Sequence, residues 1–394
     1  MAVIPKVGAV IHGIWAIPLV LIMRLIRPII LIRVGTFLSN RMGHYVADTA
    51  HHWILYNLNI TYREVNLFWL EDYTCNAQWT KIVKRNLPVY SWVKYVDIWN
   101  KFIPKGDAHN LVYFGSRDTE GLLENSNVEM MQLLPTEEAK AKRWLRSKGW
   151  TDGEPFVCLI VRDSAYLNSV NSLNEYDFSY HSYRDSDIDT YVLAIEWLAN
   201  QGVWVLRMGK KMRKQVYSQH KKIIDYAFDS QKSDLLDVWL FSNCSLCISS
   251  ATGVDFLSDI FRRPMLLLNY LPINDLISWS NSLHYPKKLI WKNTQKMLNL
   301  SEYMRHGYSH TENYSSAGIG IVDLTEEEII NAVQEAWRDV LSNKTTRSDN
   351  CTYQQEKFWE IMRSMDLYKK NHDFIHPMSC MSSVFLELNK EFLQ

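Results

Sequence analysis

The chain has 394 residues, 47% of them hydrophobic and 13% aromatic, and its 43 basic residues equal its 43 acidic ones. That length exceeds what a single core fills and predicts two domains, while the apolar content excludes an intrinsically disordered chain. Zero net charge removes the global positive field that a nucleic-acid binder uses, so nucleic acid is excluded as a partner and any anion site must be a local cluster of cations.

Residues 7–23 carry no formal charge and run into Arg24 and Arg27. The run sits at the lower length limit for a spanning helix and contains His12, Gly13 and Pro18, so the expectation is a helix at a membrane interface, with Trp15 and both arginines at headgroup level. The competing expectation is a helix packed on the protein itself. The basic flank of a secretory signal is thin here.

Residues 29–35 form a continuous apolar run of strand length, followed by a polar, glycine-bearing loop and a helical pattern over 45–58. This is the start of a strand–loop–helix unit, and it puts Arg41, Gly43 and His44 at the carboxyl edge of a strand, where ligands bind in open α/β sheets. For His44 two readings stand side by side: general base for an acceptor hydroxyl, or ligand contact. Further strands are expected at 65–70 and 110–115, with a helix over 89–102. The alternating charges of 135–149 and the turn residues after Gly149 mark a domain boundary.

The second half restarts the pattern. A buried strand at 156–161 runs into Arg162 and Asp163. A long polar loop then leads to Tyr183, Arg184 and the Asp185-Ser186-Asp187 triplet, and a helix follows over 188–200. The triplet matches a metal-binding D-x-D in its letters, but its place before a helix reads as capping. A strand over 203–207 ends in Arg207 and leads to Lys210, a short strand is expected at 223–227, and a helix at 233–241. Residues 245–264 read as a strand, a turn of Ser249, Ser250, Ala251, Thr252 and Gly253, and a helix that stops near Arg263-Pro264. Such a turn exposes backbone N–H groups and the positive end of a helix dipole, a setting that binds phosphate.

Strands alternating with helices imply a parallel sheet whose carboxyl ends share one edge, where Arg162, Arg207, Lys210 and the 249–253 turn should converge. Against each stands a local reading. Arg162 can pair with Asp163, Lys210 can begin a solvated helix, Thr252-Gly253 can be a tight turn, and Asp255 can favour the helix dipole instead of accepting from a ribose hydroxyl. The six cysteines (Cys75, Cys158, Cys244, Cys247, Cys351 and Cys380) are scattered, which fits a reducing compartment, and Cys244-x-x-Cys247 reads as core packing rather than zinc. A strand at 319–323 precedes a helix with Thr325 and Glu328 at capping-box spacing. Residues 343–353 read as a linker, and a helical tail from 356 is expected to return to the first domain.

The runs 157–167, 183–189 and 206–209 resemble a family of bacterial glycosyltransferases linked to surface-polysaccharide and lipopolysaccharide biosynthesis, and the resemblance extends from Arg33 and residues 41–44 to the tail. It implies an α/β fold of GT-B type: two Rossmann-like domains facing a cleft, with an apolar N-terminal segment (1–28), an acceptor-side domain (29–145), a nucleotide-sugar domain (146–345) and a helical tail (346–394). The stretch 245–264 also resembles the strand, threonine-glycine turn and helix by which heptosyltransferases meet their donor's phosphates, except that Ala251 stands where those enzymes carry an aspartate. The implied activity is transfer of a sugar from a nucleotide-activated donor to a glycan or lipid-linked acceptor, without cofactor or metal, on the cytoplasmic face of the inner membrane. Arg162, Arg207, Lys210, Ser249, Ser250, Thr252, Gly253 and Asp255 are then the donor contacts, and Arg41, Gly43, Tyr183 and Arg184 line the acceptor side. His44 or Asp163 activates the acceptor. A nucleotide-sugar epimerase on the same architecture and a non-catalytic nucleotide-binding scaffold at the membrane are the alternatives.

Overall fold

The computed structural model describes residues 13–58, 63–166, 179–342, 352–366 and 368–394. The first part of the apolar N-terminal segment, most of the polar loop after Asp163, and the linker up to residue 351 lie outside them. The chain divides into two compact units, one of residues 1–116 with 125–134, the other of residues 117–124 with 135–394.

The first unit is built on β1 (Leu31–Thr36) and β2 (Glu64–Trp69), which pair in parallel. Single parallel bridges, Val34 to Asn110 and Phe68 to Val89, extend this layer by one residue on each side. The strand expected over 110–115 is reduced to that one bridge, and the run ends where Gly115 and Ser116 both turn to positive φ. Gly35 is required where it stands: a Cβ there would lie 2.7 Å from Leu111 Cδ1.

Helices α1 (Ala16–Leu25), α2 (Met42–Asn57), α3 (Ala77–Asn86) and α4 (Val93–Phe102) complete the unit. Helix α1 tolerates Pro18 because its first turn needs no N–H donor there. It buries Ala16, Val20 and Met23 against Val34, Val93 and Val96, each of the larger side chains contributing about 1.5–3 kcal/mol. Leu19, Leu21, Ile22 and Leu25 remain exposed on the helix, as do Ile14 and Ile29 beside its ends. Arg24 does not extend that outer surface: its guanidinium donates to the carbonyls of Asn100, Ile103 and Pro104 at 2.7–2.8 Å. It thereby satisfies orphan carbonyls at the end of α4, which corrects its expected place at headgroup level. Among the described residues no helix is long and apolar enough to cross a membrane.

The second unit carries a seven-stranded sheet in which every paired neighbour is parallel. Its strands are β3 (Phe156–Ile160), β4 (Trp204–Arg207), β5 (Ile223–Ile224), β6 (Leu246–Ser249), β7 (Met265–Leu268), β8 (Ser282–Tyr285) and β11 (Cys380–Met381), in spatial order β11-β8-β7-β6-β3-β4-β5. Strands β9 (Lys288–Trp291) and β10 (Ile319–Val322) form a separate antiparallel pair. The central strands are buried along their whole length, as a parallel sheet covered on both faces requires. From β3 the order steps to β4 and β5 on one side and to β6, β7 and β8 on the other. This is the doubly wound Rossmann order, with its reversal between β3 and β6.

Helices α5 (Pro135–Ser147), α6 (Val192–Asn200), α7 (Asp234–Asn243) and α8 (Phe256–Ile260) pack with this sheet, as does α9 (Glu326–Leu341), which starts with the expected Thr325/Glu328 capping box. Helix α5, expected to close the first domain, belongs to the second unit: Trp144 sets its ring edge-on to Tyr226 at 5.3 Å, and Lys148 pairs with Asp229 at 2.5 Å. Charge alternation reveals an exposed helix face but not the sheet its apolar face meets.

The tail is likewise part of the second unit rather than a return to the first domain. Helix α10 (Thr352–Arg363) buries Phe358, Trp359 and Met362 in the second unit's core, β11 pairs with β8, and Ser382 and Ser383 bond the Glu335 carboxylate. An uncovered β8 would otherwise leave an open sheet edge. The described cysteines are buried and form no disulfide with one another.

Candidate functional site

The Rossmann reversal puts the ends of β3 and β6 side by side, with Ile160 in register with Ser249. Ser250 N donates to Ile160 O at 3.1 Å, and Arg162 N donates to Ser250 Oγ at 2.7 Å, so the two exits are stitched together where an open α/β sheet binds its ligand. The turn after β6 is held from inside. Asp255 is fully buried and accepts from Ser249 Oγ at 2.5 Å and from Thr252 N at 2.8 Å. Burial pushes its carboxyl up to about 6, and the Ser249 and Thr252 bonds pull the other way.

That geometry changes two expectations. Asp255 is a post inside the turn and does not present a carboxylate to a ribose. Helix α8 is a single short turn of 5 residues, too short to build the macrodipole invoked for phosphate binding, since a dipole needs a run of aligned peptides. Ala251 takes φ 58°, a conformation costly for a residue with a Cβ. The turn therefore stands on side-chain bonds rather than on intrinsic preference.

Cations surround it. Arg184 donates to the Ala251 carbonyl at 2.6 Å, and Arg162 Nε lies 3.4 Å from Asp185 Oδ1. Burial and the neighbouring Arg184 charge hold the Arg162 guanidinium below its ordinary pKa. Lys287, also buried, donates to Asp185 O and pairs with Asp323 at 2.7 Å. Arg162 is thus paired with Asp185, the Arg184 charge reaches the buried Asp255, and the lysine is matched by its own partner. Arg184 Nε and Thr252 Oγ1 are buried and make no hydrogen bond among the described residues. Arg207 Nε is buried without a hydrogen-bond partner in the same way, so these donors mark a site only together with the turn and the neighbouring guanidinium groups.

Tyr183 and Arg184 were expected on the acceptor side; the structure places both in the second unit with the turn. Tyr183 is a core residue against Tyr314, and Arg184 is bonded to Ala251. Arg207 does not join the cluster. It is 1% exposed, pairs with Asp225 at 3.2 Å, donates to Lys214 O and lies over the Phe228 ring, so it holds the loops beyond β4. Lys210 is exposed and sits 3.9 Å from Asp234. Both oxygens of Asp163 are taken, one by Ala165 N at 2.8 Å and the other by Arg213 N at 2.7 Å, which ties the loop after β3 to the loop after β4. Asp187 caps the following 3-10 turn and pairs with Lys214, as its position before a helix suggested. Gly253 is exposed at the tip of the turn. Lys287 was missed in the sequence because the strand it follows, Ser282–Tyr285, is too short and polar to be recognised.

In the first unit, Arg41 is the exposed N-cap of α2, with Gly43 and His44 in the first turn. His44 Nδ1 lies 2.5 Å from Ser116 Oγ. Ser116, in turn, gives both its N–H (3.1 Å) and its hydroxyl (3.3 Å) to Asp48 Oδ1. Burial, and secondarily Arg41, lowers the His44 pKa and favours the neutral ring. Asp48 follows His44 by four residues on one helix face, a spacing visible in the sequence. Ser116 arrives from a distant loop and could not be paired with them. Among the described residues no group of three or more His, Cys, Asp or Glu side chains is placed to hold a metal.

No protein-family model matches this chain, and no curated protein matches it either. Solved structures similar to it include E. coli ADP-heptose lipopolysaccharide heptosyltransferase II, at TM-score 0.44 and 10% identity over 79% of this chain and 99% of that one. A glycosyl transferase family 9 protein from Veillonella parvula matches at TM-score 0.45 and 10% identity over 79% and 97%. The iron-containing dodecameric glycosyltransferase TibC from enterotoxigenic E. coli matches at 0.39 and 10% over 78% and 76%.

Proposed function

We propose that the protein is a glycosyltransferase of GT-B type that moves a sugar from a nucleotide-activated donor to a glycan or lipid-linked acceptor in surface-polysaccharide biosynthesis. The observation that carries this reading is the pair of half-buried guanidinium groups, Arg162 and Arg184, beside the turn at the Rossmann reversal, with Arg184 Nε and Thr252 Oγ1 left without a hydrogen-bond partner among the described residues. A nucleoside diphosphate brings negative charge to this cluster and accepts those donors in fork geometry.

In the reaction the acceptor hydroxyl oxygen bonds to the anomeric carbon as the bond from that carbon to the diphosphate oxygen breaks. Charge grows on the leaving diphosphate, where Arg162, Arg184 and Thr252 stabilise it, a fixed electrostatic contribution made without a metal ion. His44 takes the hydroxyl proton. Asp163, with both oxygens engaged by backbone N–H groups, is the weaker candidate. The exposed apolar face of α1 supports a peripheral position at a membrane surface, which in this reading is the cytoplasmic face of the inner membrane, beside lipid-linked acceptors.

The test is calorimetry against ADP, UDP, GDP and CMP together with their sugars, followed by turnover with lipid-extract acceptors. Tight binding of one nucleoside diphosphate is expected, and His44→Ala should slow turnover about 10²-fold or more with donor affinity retained. Failure to bind any nucleotide would overturn the reading. So would interconversion of free nucleotide sugars without an acceptor, which is epimerase chemistry.

A further inference from the structure

The first unit contains a hydrogen-bonded chain that the transfer reaction as described does not require. Asp48 and Ser116 are almost completely buried, whereas His44 is only partly covered. Ser116 is held at φ 59°, and its N–H bond to Asp48 Oδ1 fixes the loop so that the hydroxyl sits between the carboxylate and the imidazole.

A hydroxyl has one proton to give, and an ionised carboxylate can only accept. With the Ser116 proton directed at Asp48 Oδ1, its oxygen can only accept from the other side. The contact to His44 Nδ1 then requires an N–H on that nitrogen. In the neutral ring, which burial and Arg41 favour, Nε2 is left with its lone pair. The carboxyl of Asp48 is raised by burial to about 6, with the Ser116 bonds opposing, so above that it is the acceptor this arrangement needs.

We propose that Asp48 and Ser116 are positioning residues that hold neutral His44 as the Nδ1–H tautomer and so present Nε2 as the proton acceptor. This rests on the reading of His44 as the base. A catalytic imidazole is commonly oriented by a bond to its second nitrogen. Here the carboxylate acts through an intervening hydroxyl, and both partners are buried behind the ring.

The experiment is nitrogen-15 correlation spectroscopy of the full-length protein labelled at its histidines at about pH 8, where neutral imidazole dominates, with His44→Gln to assign the signal. Wild type should show His44 as Nδ1–H. In Ser116→Ala the partner is lost while the backbone N–H bond to Asp48 stays. The ring should then move to the Nε2–H form that free imidazole side chains prefer. In Asp48→Asn the amide can donate to Ser116 Oγ, turning the hydroxyl proton toward Nδ1 and giving the same reversal. Turnover of both variants should fall by about 10²-fold or more, with donor affinity unchanged. An Nε2–H tautomer in wild type would overturn the proposal, and so would a tautomer unmoved in Ser116→Ala. Tautomers that behave as stated while His44→Ala retains full turnover would uphold the positioning and overturn the base reading instead.

Discussion

Replacing Arg184 with alanine separates a ligand-binding arginine from a scaffold arginine when it is compared with Arg207→Ala. Among the described residues Arg184 hydrogen-bonds to Ala251 O and leaves Nε unpartnered. Losing that bond costs about 1 kcal/mol. The change also removes a positive charge next to Arg162, whose pKa that charge depresses. The two effects oppose, so folding stability should change by no more than about 1 kcal/mol. Binding should suffer more: losing hydrogen bonds to a charged phosphate costs about 1.5–3 kcal/mol, which raises the Kd for a nucleoside diphosphate roughly 10- to 150-fold. Arg207→Ala should behave in the opposite way. It strands Asp225 beside a buried strand end, and breaking such a pair costs about 3 kcal/mol of stability, while folded molecules keep their affinity. Titration calorimetry and denaturant unfolding of both variants make the check. Unchanged affinity in Arg184→Ala, or lost affinity with normal stability in Arg207→Ala, would refute the assignment of the anion site.

Ala251→Gly should raise stability by up to about 1 kcal/mol, because glycine accepts the left-handed backbone that alanine adopts under strain, less its greater unfolded entropy. Denaturant unfolding measures this, and a loss would show that the turn is not strained. Asp259 is buried, accepts from Trp279 Nε1 at 3.0 Å, and is pushed up to about 7 by burial, with Asp118 and Asp255 adding to the shift. Its folded value lies above the unfolded value of about 4, so its contribution to stability is complete below pH 4 and is lost as pH rises through about 7. Asp259→Asn should therefore flatten stability over that window and be the more stable protein at about pH 8; an unchanged slope from a pH series of melts would argue against the buried charge. Finally, Ile22→Glu together with Leu25→Glu alters exposed positions of α1 and should abolish sedimentation with anionic vesicles without loss of fold. Equal sedimentation would remove α1 as the membrane contact.

The architecture of the second unit was largely legible because parallel strands buried on both faces are short, unbroken apolar runs. Phe156–Ile160, Trp204–Arg207, Leu246–Ser249 and Met265–Leu268 show this pattern. The capping box at Thr325 and Glu328 was legible for a related reason, since both partners lie within one helical turn. The first unit was less so: the 110–115 run has strand composition, but only Asn110 finds a pairing partner in the sheet.

The site divides along the same line. The sequence by itself determined that Arg162 and the 249–253 turn follow strands of one parallel sheet, and right-handed crossovers then put them on a common edge. Only the tertiary structure decided which charges are committed. Arg207 is consumed by Asp225, Asp255 is turned inward to hold Ser249 and Thr252, and Arg24 is spent on the carbonyls that end α4. It also decided that Arg184 belongs with Ala251 and that Ser116 comes between His44 and Asp48. The reason is one of range. Hydrophobic periodicity and capping are set by neighbours a few residues apart, whereas the partner of a buried charge is whichever group the folded chain brings within about 3–4 Å.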